Sequence, residues 1–181
     1  MGVLSPVILL LILLPQTLLS QTIQFSIHVA SSLNATVDQD MTFGELISNS
    51  GVNEINLGDA GMGVFAITGN EELDVVVTMS PPANLTRVGN PSDVIPFTLN
   101  FAYANKGVND VNQAIVATGN TARFQMLGRT SGPAGAPPTP PSAHHTPADA
   151  TAYLYVYGTL TLGSIPAGTY TGMVTIDVVY D

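Results

Sequence analysis

The chain has 181 residues, with four Lys and Arg against thirteen Asp and Glu, a formal net charge of −9 and no cysteine. This balance excludes a basic surface for nucleic acid or for an anionic membrane. The lack of cysteine excludes a fold held by disulfides and a blue-copper site. After an export signal, the remaining length suits one domain with its own hydrophobic core.

Residues 1–20 have the pattern of an export signal. The apolar run Val7–Leu14 is too short to cross a bilayer, which takes about 20 residues. The small Ser20 then favours cleavage before Gln21. We therefore expect an exported protein, extracellular or held at the cell surface, without a membrane span and with one β-sandwich domain over residues 21–181.

The first predicted strand, Thr22–Val29, alternates cleanly. Its apolar side chains share one parity and therefore one face: Ile23, Phe25, Ile27 and Val29. Two interpretations stay open, because such a strand could complete the sheet of its own molecule or be donated to another molecule.

Further short β-prone runs follow, separated by Gly and Pro, and they predict an antiparallel sandwich. The predicted strands are Leu33–Val37, Met41–Ile47, Gly63–Thr68, Leu73–Met79, Val94–Tyr103, Ala114–Thr118, Arg123–Leu127, Ala152–Leu162 and Gly168–Tyr180. Gly69-Asn70 predicts a hairpin turn with positive φ, and Pro81-Pro82 predicts the end of a strand.

A proline-rich stretch covers residues 128–147 and predicts an extended loop between strands. It contains His144-His145, which with Asp149 could bind a metal, although adjacent histidines in such a loop make a poor preformed site. Asp38 with Asp40 lacks the spacing of a calcium loop, as does a second group, Glu54, Asn56 and Asp59. We therefore predict no metal and no cofactor.

The last two strands are the longest apolar ones. Tyr153, Tyr155 and Tyr157 share one face of the first, where they are either an exposed contact surface or part of the core. The final strand has one apolar face, formed by Tyr170, Val174, Ile176, Val178 and Tyr180.

The chain lacks the motifs of the common catalytic sites. It contains no Gly-x-Ser-x-Gly elbow, no His-Glu-x-x-His and no phosphate-binding loop, and it has three histidines in all. We therefore predict that it is not an enzyme.

Several motifs follow one another in a characteristic order, namely Met41–Leu46, Gly63–Gly69, Pro81-Pro82, Gly158–Leu162, Pro166–Gly172 and the valine-rich strand to Tyr180. This order resembles a bacterial secreted domain-of-unknown-function family, numbered four-four-zero-two, which is similar to the spore coat protein U domain of chaperone–usher pilins. The resemblance covers nearly the whole chain after the signal.

This resemblance implies an all-β, antiparallel, immunoglobulin-like sandwich at the cell surface, with no known chemistry. In the pilin relatives a subunit lacks its final strand, and the N-terminal extension of a neighbour fills the groove. Those relatives also have a tyrosine one residue from the C-terminus, as Tyr180 is here. The usual disulfide of the coat-protein-like pilins is absent from this chain.

Two functions follow as expectations. The first is a pilin-like structural subunit that assembles by strand complementation, with further copies, related surface subunits and a secretion chaperone as partners. The alternative is a monomeric secreted adhesion module that binds a glycan or a surface, with residues 128–147 or the three tyrosines as its contact surface.

Overall fold

The computed structural model describes residues 20–29, 33–71, 73–127 and 149–181, and it is built almost entirely of β-strands. A short 3₁₀ helix, Val111–Gln113, is the helical element of this part. The strands are β1 (Ser20–Val29), β2 (Asn34–Gln39), β3 (Thr42–Glu45), β4 (Gly51–Ile55), β5 (Gly63–Asn70), β6 (Asp74–Ser80), β7 (Asn84–Arg87), β8 (Asn90–Ala104), β9 (Ile115–Val116), β10 (Thr121–Gln125), β11 (Asp149–Leu162) and β12 (Tyr170–Tyr180).

The strands form two sheets that share β8. In sheet one the order is β3, β1, β12, β6 and β10. β7 pairs with the beginning of β12, whereas β6 pairs with its later part. In sheet two the order is β9, β8, β11, β5 and β2, with β4 beside the far end of β11. The first part of β8 pairs with β7 and its second part pairs with β11. The predicted all-β immunoglobulin-like sandwich is confirmed.

The core lies between the sheets and is supplied by alternate side chains of the long strands. In β8, Ile95, Leu99 and Phe101 are buried, whereas the intervening Thr98 and Asn100 are exposed. Polar side chains between apolar ones therefore fix which face of each strand enters the core.

One strand pair departs from the predicted antiparallel arrangement. β1 runs parallel to β12, from Gln21 opposite Tyr170 to Val29 opposite Val178. Parallel neighbours cannot be joined by a short turn, and here nearly the whole described chain lies between them. Periodicity reveals which face of a strand is apolar, but it carries no information on the direction of the partner.

Sequence analysis did not predict two of the strands, because neither has a long alternating pattern. β4 is five residues long and is held by the end of β11, and β7 is four residues long and is held by β8 and β12. Tertiary pairing, rather than local propensity, defines such short strands.

The hairpin predicted at Gly69-Asn70 is wrong. β5 belongs to sheet two and β6 to sheet one, so this turn connects the two sheets. Gly69 has no positive φ, and its lack of a side chain serves close packing instead. A Cβ there would lie 2.8 Å from the hydroxyl oxygen of Tyr180.

Several predictions fall outside the described residues: most of the export signal, the proline-rich stretch 128–147 and its His144-His145 pair.

Candidate functional site

The most distinctive site in the structure is the position of β1 in sheet one, which we call the strand slot. One side of the slot is the backbone edge of β12 between Tyr170 and Val178. The other side is β3, which pairs with the beginning of β1. The slot is therefore a gap in a sheet, and any strand with the right alternation could form the same backbone hydrogen bonds.

Apolar side chains of β1 enter the core through the slot. Ile23 is 2% exposed, and Phe25 packs edge-to-face on Phe65 with ring centroids 4.8 Å apart. Ile27 is partly buried against the same core. The side chain of Val29 lies outside the described part, although its backbone pairs with Val178.

A glycine makes room for the aromatic side chain of β1. A Cβ on Gly63 would lie 3.3 Å from Cβ of Met41 and 3.5 Å from the ring of Phe25. The distance to Met41 is tighter than most Cβ contacts and the distance to Phe25 is an ordinary van der Waals contact, so the bare backbone of Gly63 forms part of the wall around Phe25. The slot thus has a shape suited to a large side chain at this position.

β3 borders only the part of the slot that holds the first three residues of β1. Its pairs with β1 are Glu45 to Ser20, Gly44 to Gln21 and Thr42 to Thr22, with an irregularity after Gln21. Beyond Thr22, the backbone partner of β1 among the described residues is β12 alone. The later part of β1 is therefore an edge strand, which is the kind of strand most open to exchange.

The predicted apolar face of β12 lies in the core. Tyr170, Val174, Ile176 and Val178 are buried and Tyr180 is partly buried. The Tyr170 hydroxyl donates to the Pro166 carbonyl at 2.9 Å. The Tyr180 hydroxyl accepts from the Asn70 amide at 3.0 Å. Both ends of β12 are thus fixed, so β12 is the stationary side of the slot.

The three tyrosines of β11 do not form one exposed surface. They lie on the outer face of sheet two, opposite the core face of Leu154 and Val156, and Tyr153 and Tyr157 are half-buried there. Tyr155 is fully buried because the segment after β8 crosses above it. Its hydroxyl donates to the side-chain oxygen of Asn109 at 2.9 Å, so Tyr155 is excluded from any contact surface.

Burial raises the pKa of Tyr155 to about 12, and the nearby Asp110 carboxylate contributes to the rise. Asp110 also organises the crossing segment, because it accepts from the Gln113 side chain at 2.8 Å and from the Asn112 backbone at 2.9 Å. The bond from Gln113 is the main reason why the pKa of Asp110 is lowered. The crossing segment is therefore a hydrogen-bonded cover.

Metal-binding groups are not brought together in the described ranges. No group of three His, Asp or Glu side chains there could hold a metal ion, and this includes the acidic residues around Asp38 and Asp59. No helix in the same part of the chain is long and apolar enough to cross a membrane.

Three solved structures illustrate the distant likeness of the chain to fimbrial proteins. One is the CooA pilin subunit from enterotoxigenic Escherichia coli, which is 13% identical in sequence. The match covers 82% of this chain and 98% of that chain, with a TM-score of 0.36. Another belongs to a chaperone–tip adhesin complex of CFA/I fimbriae and is 11% identical in sequence. The match covers 83% of this chain and 43% of that chain, with a TM-score of 0.36.

The third is CfaE, the adhesive subunit of CFA/I fimbria of enterotoxigenic Escherichia coli, which is 9% identical in sequence. The match covers 71% of this chain and 44% of that chain, with a TM-score of 0.31. The chain thus spans less than half the length of the two chains from the adhesin structures. No curated protein sequence matches it.

A family model gives a match over most of the sequence. Residues 33–180, from just before β2 to the end of β12, match the family described as Domain of unknown function (DUF4402). The match begins after β1, so the strand in the slot precedes the matched segment. The chain belongs to this domain-of-unknown-function family, as its motifs predicted.

Proposed function

We propose that the protein is an exported structural subunit, pilin-like rather than enzymatic, and that β1 of one copy fills the strand slot of the next copy. The observation that carries this proposal is the place of β1. It precedes the matched segment 33–180, yet Ile23 is part of the core and Phe25 packs against the core.

Exchange needs no new contacts. A swapped strand keeps the backbone pairs with β12 and the packing of Phe25 on Phe65, but makes them in a neighbouring molecule. Residues 30–32 lie between β1, in sheet one, and β2, in sheet two. Because each copy has one β1 and one slot, repetition gives an open chain of subunits.

The energy of such a joint comes from the core face of β1 and from its backbone. Full burial of a side chain such as Ile23 contributes about 1.5–3 kcal/mol. The backbone pairs along β12 add to this, because an unpaired buried peptide group is costly. Ordering costs offset part of the gain.

The test is the size distribution of residues 21–181, by size-exclusion chromatography with light scattering and by negative-stain microscopy. We expect multimers or filaments for the unmodified chain and for the control Gln24→Asp, since Gln24 is exposed. Phe25→Asp should abolish them, because it replaces the ring that packs on Phe65 with a charged group that is costly to bury.

Circular dichroism distinguishes loss of assembly from loss of folding in the Phe25→Asp protein. Filaments that persist in folded Phe25→Asp protein would contradict the role of β1. A folded monomer of the unmodified chain at every concentration would contradict the proposal and favour the monomeric adhesion module.

A further inference from the structure

A cleft of about 340 Å³ lies outside the strand slot, since its lining includes no residue of β1, β3 or β12. Its walls come from the end of β8, from β9 and from β10, together with Asp74 at the start of β6. The volume falls within the range of small-molecule sites, about 300–1,000 Å³. Its walls combine apolar and hydrogen-bonding groups, which together indicate the chemical class of ligand that would fit.

One wall is aromatic and aliphatic. The rings of Tyr103 and Phe124 are stacked, with centroids 4.2 Å apart and planes inclined by 14°. Ile115 beside them is 48% exposed although it is a large aliphatic side chain. A rigid aromatic pair with an exposed aliphatic neighbour suits the C–H surface of a ring-shaped ligand.

A buried amide also lines the cleft. Asn105 is 7% exposed, and its Nδ2 donates to the backbone carbonyl of Gln125 at 2.8 Å. Its side-chain oxygen accepts no hydrogen bond from the residues that the structure describes. A ligand hydroxyl in the cleft would be able to donate a hydrogen bond to this oxygen.

The charges at the rim exclude one class of ligand. Arg123 is paired with Asp74 at 3.0 Å and also with Asp181, so the cluster carries one net negative charge. An anion would therefore be repelled. The same cluster presents guanidinium donors beside carboxylate acceptors, an arrangement that matches hydroxyl groups, because each of them both donates and accepts.

We propose that this cleft binds one ring of a neutral carbohydrate. The apolar face of the sugar packs on the wall of Tyr103 and Ile115, and its hydroxyls bond with Asn105 and with the Arg123–Asp74 pair. The site is separate from the strand slot, so the inference is independent of strand exchange.

Saturation-transfer NMR of residues 21–181 tests the proposal, with the methyl glycosides of glucose, galactose, mannose and N-acetylglucosamine as probes. We expect transfer from protein to at least one glycoside, with a Kd on the order of 1 mM. Tyr103→Leu should weaken that binding about tenfold, whereas Tyr153→Leu, a half-buried tyrosine on the outer face of sheet two, should leave it unchanged.

Ile115→Ala provides a variant that keeps the core intact, with the exposed Ile47→Ala as its matched control. Weaker transfer for Ile115→Ala, but not for Ile47→Ala, supports the site. Absence of transfer from all four glycosides, equal transfer in folded Tyr103→Leu protein, or transfer to methylguanidinium in their place would overturn the proposal.

Discussion

At the scale of single residues, Ile23 connects β1 to the core most strongly. Ile23→Ala should destabilise the folded protein by about 2–5 kcal/mol, because it leaves a cavity at a site that is 2% exposed. Gln24→Ala, on the opposite face, should change the stability by less than about 0.5 kcal/mol. Urea unfolding followed by circular dichroism measures both. Equal effects of the two changes would mean that β1 does not occupy the slot in solution.

Tyr155 predicts a specific pH dependence. Its pKa rises from the ordinary 10.0 to about 12 in the folded chain, so the unfolded chain loses this proton first as the pH increases. The folded state should therefore lose stability between pH 10 and pH 12, and Tyr155→Phe should make that decline shallower. Thermal unfolding across this range tests it, with Tyr153→Phe as the control. Parallel curves for Tyr155→Phe and the unmodified chain would contradict the assignment.

Tyr155 also marks the limit of prediction from single residues. Parity placed it correctly on one face with Tyr153 and Tyr157, but that face is the outer one. Its burial comes from a segment that is distant in sequence and is held by Asn109 and Asp110. Local pattern contains no signal for such a cover, since Asn109 and Asp110 read as ordinary loop residues.

At the scale of elements, the slot should accept β1 from outside. We expect a protein without residues 20–29 to be less stable, because the edge of β12 and the surroundings of Phe65 lose their partner. A synthetic peptide of residues 21–29 should restore stability, and the same peptide with Phe25→Asp should not.

Thermal unfolding against peptide concentration measures this rescue. Equal rescue by both peptides would show that the side chains of β1 do not select the slot. Failure of the β1 peptide to bind a folded, shortened protein would contradict slot formation by β12 and β3.

The strands differed in how far the sequence predicted them. β8 and β12 were predicted well because their alternation extends over many residues, as from Ile95 to Phe101. β4 and β7 were missed because partners in other parts of the chain define them. The slot itself could not be derived from periodicity, since an apolar strand has the same alternation whether its neighbour is parallel or antiparallel.

At the scale of the whole molecule, like charge opposes assembly. Each chain carries a formal charge of −9, so two copies repel one another at low ionic strength. Assembly should therefore be faster at about 0.15 M salt, where the screening length is about 8 Å, than at 0.01 M, where it is about 30 Å. Light scattering over time measures the rate. Slower assembly at the higher salt concentration would show that attraction between charges drives it.

The central claim is that β1 crosses between molecules, and a cysteine experiment tests it most directly. Gln24 and Met173 face each other across β1 and β12, both are exposed, and the chain has no natural cysteine. Facing residues of paired strands lie close enough for a disulfide. One protein with Gln24→Cys and another with Met173→Cys would be refolded together and oxidised, with Val179→Cys replacing Met173→Cys as the control.

The account predicts a disulfide between positions 24 and 173 of different molecules, detected by mass spectrometry, and none between positions 24 and 179. The double variant Gln24→Cys with Met173→Cys should give a covalent ladder of multimers. A disulfide confined to single molecules of that double variant, with none between the two separate proteins, would contradict the account and show that β1 completes its own sandwich.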